Sequence, residues 1–337
     1  MSRAKVYIGM VLFLFIFISC FGNSSICCAE TIKIGFVASG DTINDNSFNE
    51  MVACGLRRLQ KDRHVELVVL RGGFTLESVT HAVKSTIGEG AGIVVVNSMP
   101  AGNRFGEIAL DHPEVVFIFN DSNIDGYPNI ISVDYAHASG SCLVGALCAW
   151  QTKTGKIGFI GGNELPVIMD FLKGFRRGVE LSGKDVEVDV KFVRRGNSEK
   201  GFEDPQQANA LALKMYGAGT DIIYAVAGLS GNGIIQAARE TGNLVVGVDS
   251  DQDHLAKGTV LTSMMKRLDV AVYKECLAVL NGNFTPGCKA YGLADGGVGL
   301  TEMKYSKHLI SNDVLRRLDS LRKGLISGKI KVEPSAQ

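Results

Sequence analysis

The sequence predicts an α/β protein built as two similar lobes. Three observations carry this. Strand-like apolar runs alternate with helix-like segments at a spacing of roughly thirty residues, the rhythm of strand–helix–strand units. The series runs once to about residue 135 and then starts again. Polar residues collect just past the C-terminal ends of the runs, where sheets of this class bind ligands. The length of 337 residues also exceeds what one ordinary core fills and suits two domains.

The first series holds strand-like runs at Ile32–Ala38, Glu66–Leu70, Gly92–Val96, Val115–Phe119 and Ile130–Val133. Continuous apolar stretches such as Val115-Val-Phe-Ile-Phe119 fit parallel strands buried on both faces. A long helix from about His137 to Thr152 follows. The second series has runs at Lys156–Ile160, Val186–Val193, Asp221–Ala227 and Leu244–Val248. Arg316, Arg317, Arg322 and Lys323 lie on an amphipathic terminal helix and read as a solvated face. The stretch around which this is organised is Asp41-Thr-Ile-Asn-Asp-Asn-Ser-Phe-Asn49, between the first strand and a helix over Met51–Leu59. Ser47 or Asn49 can cap that helix by accepting from its free N–H groups. Phe48 either tucks into the core or stands at the loop as a ring on which a flat polar ligand stacks.

At the strand ends stand Ser39 and Asp41, Asn97 and Ser98, Asn120 and Asp121, Gly161-Gly-Asn163, Gly228-Leu-Ser-Gly-Asn-Gly233 and Asp249-Ser-Asp-Gln252. Taken together they describe a cleft between two lobes lined with donors and acceptors. Asp249 reads as a ligand group and Asp251 as a turn cap. From the residues alone, Lys266 reads as a solvated or hinge salt-bridge lysine.

The N-terminus reads as a targeting segment over residues 1–29. Arg3 and Lys5 form its positive start, and Tyr7 to Ile18 its apolar core. Two readings of its end stand. Phe17-Ile-Ser-Cys20 resembles a lipobox, which would make Cys20 the lipidated first residue and Gly22 to Ser25 a tether. Cleavage after Ala29 would instead release a soluble periplasmic protein. The eight cysteines show no CxxC spacing, and Cys54, Cys142 and Cys148 read as buried free thiols on apolar helix faces. The six histidines are scattered without metal spacing and read as surface residues for the most part. A formal charge of zero and the lack of a long basic block argue against nucleic acid as partner. The Gly228–Gly233 loop matches neither G-x-G-x-x-G nor the P-loop, and no G-x-S-x-G elbow occurs. No cofactor or metal is expected, and Asp41 and Asp45 are too sparse for the metal cluster of a nucleoside hydrolase.

Asp45-Asn-Ser-Phe-Asn49 resembles the DxSFN signature of the basic membrane protein family, substrate-binding lipoproteins of ABC importers that include the purine nucleoside receptor. Lys153-Thr-Gly-Lys-Ile-Gly-Phe-Ile-Gly-Gly162, Gly174-Phe-Arg-Arg-Gly178, Ala227–Gly233, Gly247-Val-Asp-Ser-Asp-Gln252 and Leu261-Thr-Ser-Met-Met-Lys266 resemble further family segments in the same order. The resemblance covers about residues 31–332. It implies a type I periplasmic-binding-protein fold: two Rossmann-like lobes with a hinge and a ligand cleft between them. One lobe would be 31–135 plus about 263–290, the other 136–262 plus about 291–332, with crossings near Tyr135, Thr262 and Gly292. It also implies roles. Phe48 would stack on a purine base and Phe202 on its other face. Asn49 would read the base edge. Asp121 and Asp249 would accept from ribose hydroxyls, Lys266 would donate to the sugar, and the backbone at Gly228 would contact it. Ser39 departs from the family, which tends to carry an aspartate there, and Asp41 is the nearby substitute. The implied ligand is a nucleoside of the purine class, with a sugar or another small solute as the alternative. The implied partners are the permease and ATPase of an importer, with a lipid anchor to the membrane.

Overall fold

The computed structural model describes residues 31–97, 104–196 and 199–332. The targeting segment, Cys20 and Ser98 lie outside these. The chain lays down β1 (Lys33–Ala38), α1 (Phe48–Arg63), β2 (Glu66–Arg71), α2 (Leu76–Gly88), β3 (Ala91–Asn97), α3 (Arg104–Asp111), β4 (Val116–Asn120) and β5 (Ile130–Tyr135). It continues with α4 (His137–Gln151), β6 (Lys156–Gly161), α5 (Pro166–Leu181), β7 (Glu187–Phe192), α6 (Pro205–Gly217), β8 (Ile222–Val226), α7 (Gly231–Thr241) and β9 (Leu244–Asp249). Then come β10 (Val260–Lys266), α8 (Leu268–Leu280), β11 (Gly287–Tyr291), β12 (Val298–Leu300) and α9 (Asn312–Ile326).

Two six-stranded sheets result. The first has the order β11-β5-β4-β3-β1-β2 and is parallel throughout. The second has the order β12-β10-β9-β8-β6-β7, with only β12 antiparallel. Apart from the outermost strand, both sheets repeat one winding, in which the strand order reverses beside the first strand of the series. Such a switch point opens a crevice at the C-terminal strand ends. One crevice therefore lies past β1 and β3, the other past β6 and β8.

All nine strand-like runs become strands of these sheets within a residue or two. The strands β10, β11 and β12 lacked a clear signal. β11 alternates half-buried and exposed residues at a sheet edge, with only Tyr291 buried, and β12 is only three residues long. The chain passes between sheets after β5, after β10 and after β11. The return crossing follows Lys266, a few residues beyond the expected Thr262, because β10 stays paired to β9 as far as Met265.

The helix α4 is buried along most of its length, so its apolar pattern shows no preferred face. It packs on α5 at backbone distance. A Cβ on Gly174 would fall 2.1 Å from the Ala138 carbonyl oxygen, and one on Gly178 would fall 2.0 Å from that of Cys142. Those are the glycines of the Gly174-Phe-Arg-Arg-Gly178 segment. Cys142 and Cys148 are buried free thiols, and burial pushes Cys142 up to about 12. Cys54, by contrast, is exposed, because it lies on the outer face of α1.

Candidate functional site

The loop after β1 is organised by Asp45. Its Oδ1 accepts from the N–H groups of Ser47 (2.9 Å) and Glu50 (3.1 Å), and its Oδ2 from that of Asn49 (2.9 Å). Asp45 is thus the group that satisfies the free donors of α1, not Ser47 or Asn49. Released from capping, the Ser47 hydroxyl donates to Asp249 Oδ2 at 2.6 Å, from the second sheet.

Asn49 borders the cavity, but its amide is engaged within the protein. Its Oδ1 accepts from the Ser39 amide (3.1 Å), the Ser39 hydroxyl (3.2 Å) and Asn97 Nδ2 (3.0 Å). Its Nδ2 donates to the carbonyls of Ser39 (2.8 Å) and Thr42 (3.1 Å). Both donors are used and the oxygen accepts three times, so the amide is saturated within the protein. Asn49 positions Ser39, which does line the cavity. Asp41 does not line it. Its side chain is exposed, and only its backbone N–H is engaged, donating to Glu203 Oε1 at 2.6 Å.

A cavity of about 340 Å³ lies between the two sheets, within the range of small-molecule sites. Phe48 and Phe202 both line it, as do Gly228, Asp121, Asp249 and Lys266. Phe48 is half-buried; it packs on the core and still borders the cavity, so both of its readings hold in part. Phe202 sits against the loop after β6, where a Cβ on Gly162 would lie 2.5 Å from the ring. Further apolar lining comes from Phe74, Phe105, Leu165 and Phe171.

The charged end of the cavity is built at the hinge. Lys266, 2 % exposed, ends β10 and forms an ion pair with Asp121 Oδ2. Asp121 Oδ1 meets His137 Nε2 at 3.2 Å. The Lys266 ammonium lies 4.6 Å from the centre of the Phe48 ring and 5.1 Å from that of Tyr135. Burial pushes the Asp121 carboxyl up, but Lys266 and His137 outweigh it and hold it well below the usual carboxylate range. Asp249 differs. Burial raises it, and Lys266 and the Ser47 hydroxyl oppose that without cancelling it. Asp45 is pushed up to about 6 by burial, against its three N–H donors. Asp121, just past β4, and Asp249, at the end of β9, have a left-handed backbone, φ 52° and 67°, a conformation that clusters at functional sites.

Lys266 is therefore not solvated; of its two sequence readings the hinge salt bridge is the one that matches, and the pair is buried. His137 is the buried exception among the histidines; its scattered spacing hid it, because its partner lies sixteen residues back on another element. Glu203, which was not singled out from sequence, also lines the cavity, as do Asn97 and Asn163 from the expected cleft-lining strand ends. Their one signal was position, since Asn97 ends β3 and Asn163 follows β6 at the two switch points. Asp251 does cap its turn, accepting from the Asp253 N–H at 3.1 Å. Among the described residues no cluster of His, Cys, Asp and Glu can hold a metal ion. No helix among them is long and apolar enough to cross a membrane.

Comparison with known proteins places this site in context. Residues 31–335 match the family model described as ABC transporter substrate-binding protein PnrA-like. Basic membrane protein A of Borreliella afzelii is 30% identical over 94% of this chain and 95% of its own. A solute-binding protein of an ABC transporter system from Aeropyrum pernix superposes with a TM-score of 0.81 at 25% identity, covering 91% of this chain and 94% of its own. Another, from Conexibacter woesei, gives 0.71 at 21% identity over 90% and 99% and shows the shared fold. Proteins of this kind work outside the cytoplasm and hand small molecules to a permease and its ATPase. With its two switch-point crevices facing one cavity and that match across essentially the whole described chain, this protein belongs to the PnrA-like family of ABC transporter substrate-binding proteins.

Proposed function

We propose that the solute is a nucleoside, of the purine class, held between the two lobes as they close on it. The observation that carries this is the convergence of two phenylalanines and two strand-end aspartates on one cavity of nucleoside scale. Phe48 and Phe202 supply ring surface for a base. Asp121 and Asp249 supply acceptors for the ribose hydroxyls, and Lys266 balances their charge and donates. Closure is supported by the bonds that join the first lobe's loop to the second. Besides Ser47 with Asp249, Ser250 Oγ and Gln252 Nε2 both donate to the Asn46 carbonyl, at 2.5 and 2.9 Å. Glu203 holds Asp41 from the same side. We also propose membrane attachment through lipidated Cys20, with mass spectrometry of the mature N-terminus as the check.

Calorimetric titration with guanosine, inosine, adenosine and cytidine tests the ligand. A purine nucleoside should bind, and Phe48→Ala should weaken it by about 1–3 kcal/mol, the scale of base–aromatic stacking. A folded protein that gives no heat with any nucleoside removes the reading. The sugar alternative draws on Ser39 and on the saturated Asn49 amide, which leave the loop after β1 without a base reader. Ribose and galactose belong in the same titration.

A further inference from the structure

Asn49 uses both amide donors and its oxygen within the protein, whereas two other amides of the cavity wall do not. Asn163 is 0 % exposed, lines the cavity, and neither its Oδ1 nor its Nδ2 has a hydrogen-bond partner. Asn97, also 0 % exposed, donates through Nδ2 to the Phe48 carbonyl (3.2 Å) and to Asn49 Oδ1 (3.0 Å), while its own Oδ1 has no partner. Those two donations fix the orientation of the Asn97 amide and leave its oxygen free. A buried amide without partners is costly, because its groups have lost water and gained nothing in return. Such groups mark where a ligand supplies the missing bonds.

The two residues also occupy matching places. Asn97 ends β3 beside the first switch point, and Asn163 follows β6 beside the second. Asn163 sits next to Gly162, whose missing side chain lets the Phe202 ring approach. An amide beside a stacking ring can pair in plane with the base that the ring covers.

We propose that Asn163 is the base-reading residue, with Asn97 Oδ1 as an added acceptor from the opposite lobe. The Asn163 amide offers one donor and one acceptor side by side, so it selects a base edge with a neighbouring acceptor and donor. A 6-oxo or 6-amino purine nucleoside has such an edge; an unsubstituted purine, whose ring nitrogens only accept, does not. This rests on the nucleoside reading above and sharpens it to a substrate class.

The test compares inosine with purine riboside, which keeps the ring and ribose but lacks the exocyclic group and the ring N–H. The wild-type protein should bind inosine about tenfold or more tightly than purine riboside, since unpaired polar groups in a built site penalise the plain analogue. In Asn163→Leu and in Asn163→Ala, whose smaller side chain cannot press on Phe202, inosine should weaken by about tenfold or more while purine riboside changes little. The ratio of the two affinities within one variant does not depend on how much of that variant is folded. If both ligands weaken equally in both variants, or neither weakens, Asn163 does not read the base and the proposal falls alone. If no nucleoside binds the wild-type protein, the nucleoside reading falls and takes this one with it.

Discussion

Lys266 sits between two buried aspartates, and its removal exposes what each one depends on. Lys266→Met would leave Asp121 with only His137 and Asp249 with only Ser47 in a site almost closed to water. Breaking a buried pair on one side costs about 3–5 kcal/mol, against near zero for an exposed pair. Urea denaturation should show a loss of that size, partly recovered in Lys266→Met with Asp121→Asn, where the stranded charge is gone. A change below about 1 kcal/mol would place the pair among surface bridges. Asp45 and Asn49 likewise depend on buried partners, here backbone and amide groups. The signature residues Asp45 and Asn49 hold the loop by their hydrogen bonds and border the cavity together with Phe48.

At the scale of elements, the α4–α5 contact decides how the second lobe is built. Alanine is the better helix former by about 1 kcal/mol, so helix propensity alone predicts that Gly178→Ala stabilises. The structure predicts the reverse, because the new Cβ would meet the Cys142 carbonyl at 2.0 Å and the helices must move apart. Overpacking of that kind costs about 1–3 kcal/mol. Gly217→Ala is the control, since nothing lies within 4 Å of its Cβ position. The urea midpoint should fall for the first and hold or rise for the second.

At the scale of the molecule, folding buries acid. Asp45 carries a carboxyl at about 6 in the fold against 3.8 unfolded, so the folded state binds the extra proton between these values. The contribution is therefore fully present below pH 3.8 and lost as pH rises through 6, worth up to about 3 kcal/mol. Asp249, also raised, acts in the same direction. Asp121 acts oppositely, but its window lies at more acid pH than working conditions reach. Free of ligand, the protein should melt higher at pH 5 than at pH 7, and the difference should shrink in Asp45→Asn. An equal or larger difference in that variant would assign the effect to other groups.

The alternation of apolar runs determined nine of the twelve described strands, because buried parallel strands need continuous apolar sequence and their connections need helices. The resemblance around Phe48, Asp121, Asp249 and Lys266 likewise named groups that do line one cavity. What each polar group does there was decided only by the tertiary structure. Asp45 and Ser47 are two residues apart, yet one closes a helix while the other reaches a strand end 202 residues away. Asn49 and Asn163 carry the same amide, and sequence favoured the first. They differ in hydrogen-bond partners, since the Asn49 amide is paired within the protein and the Asn163 amide is not, and which partners lie within reach depends on how the two sheets come together.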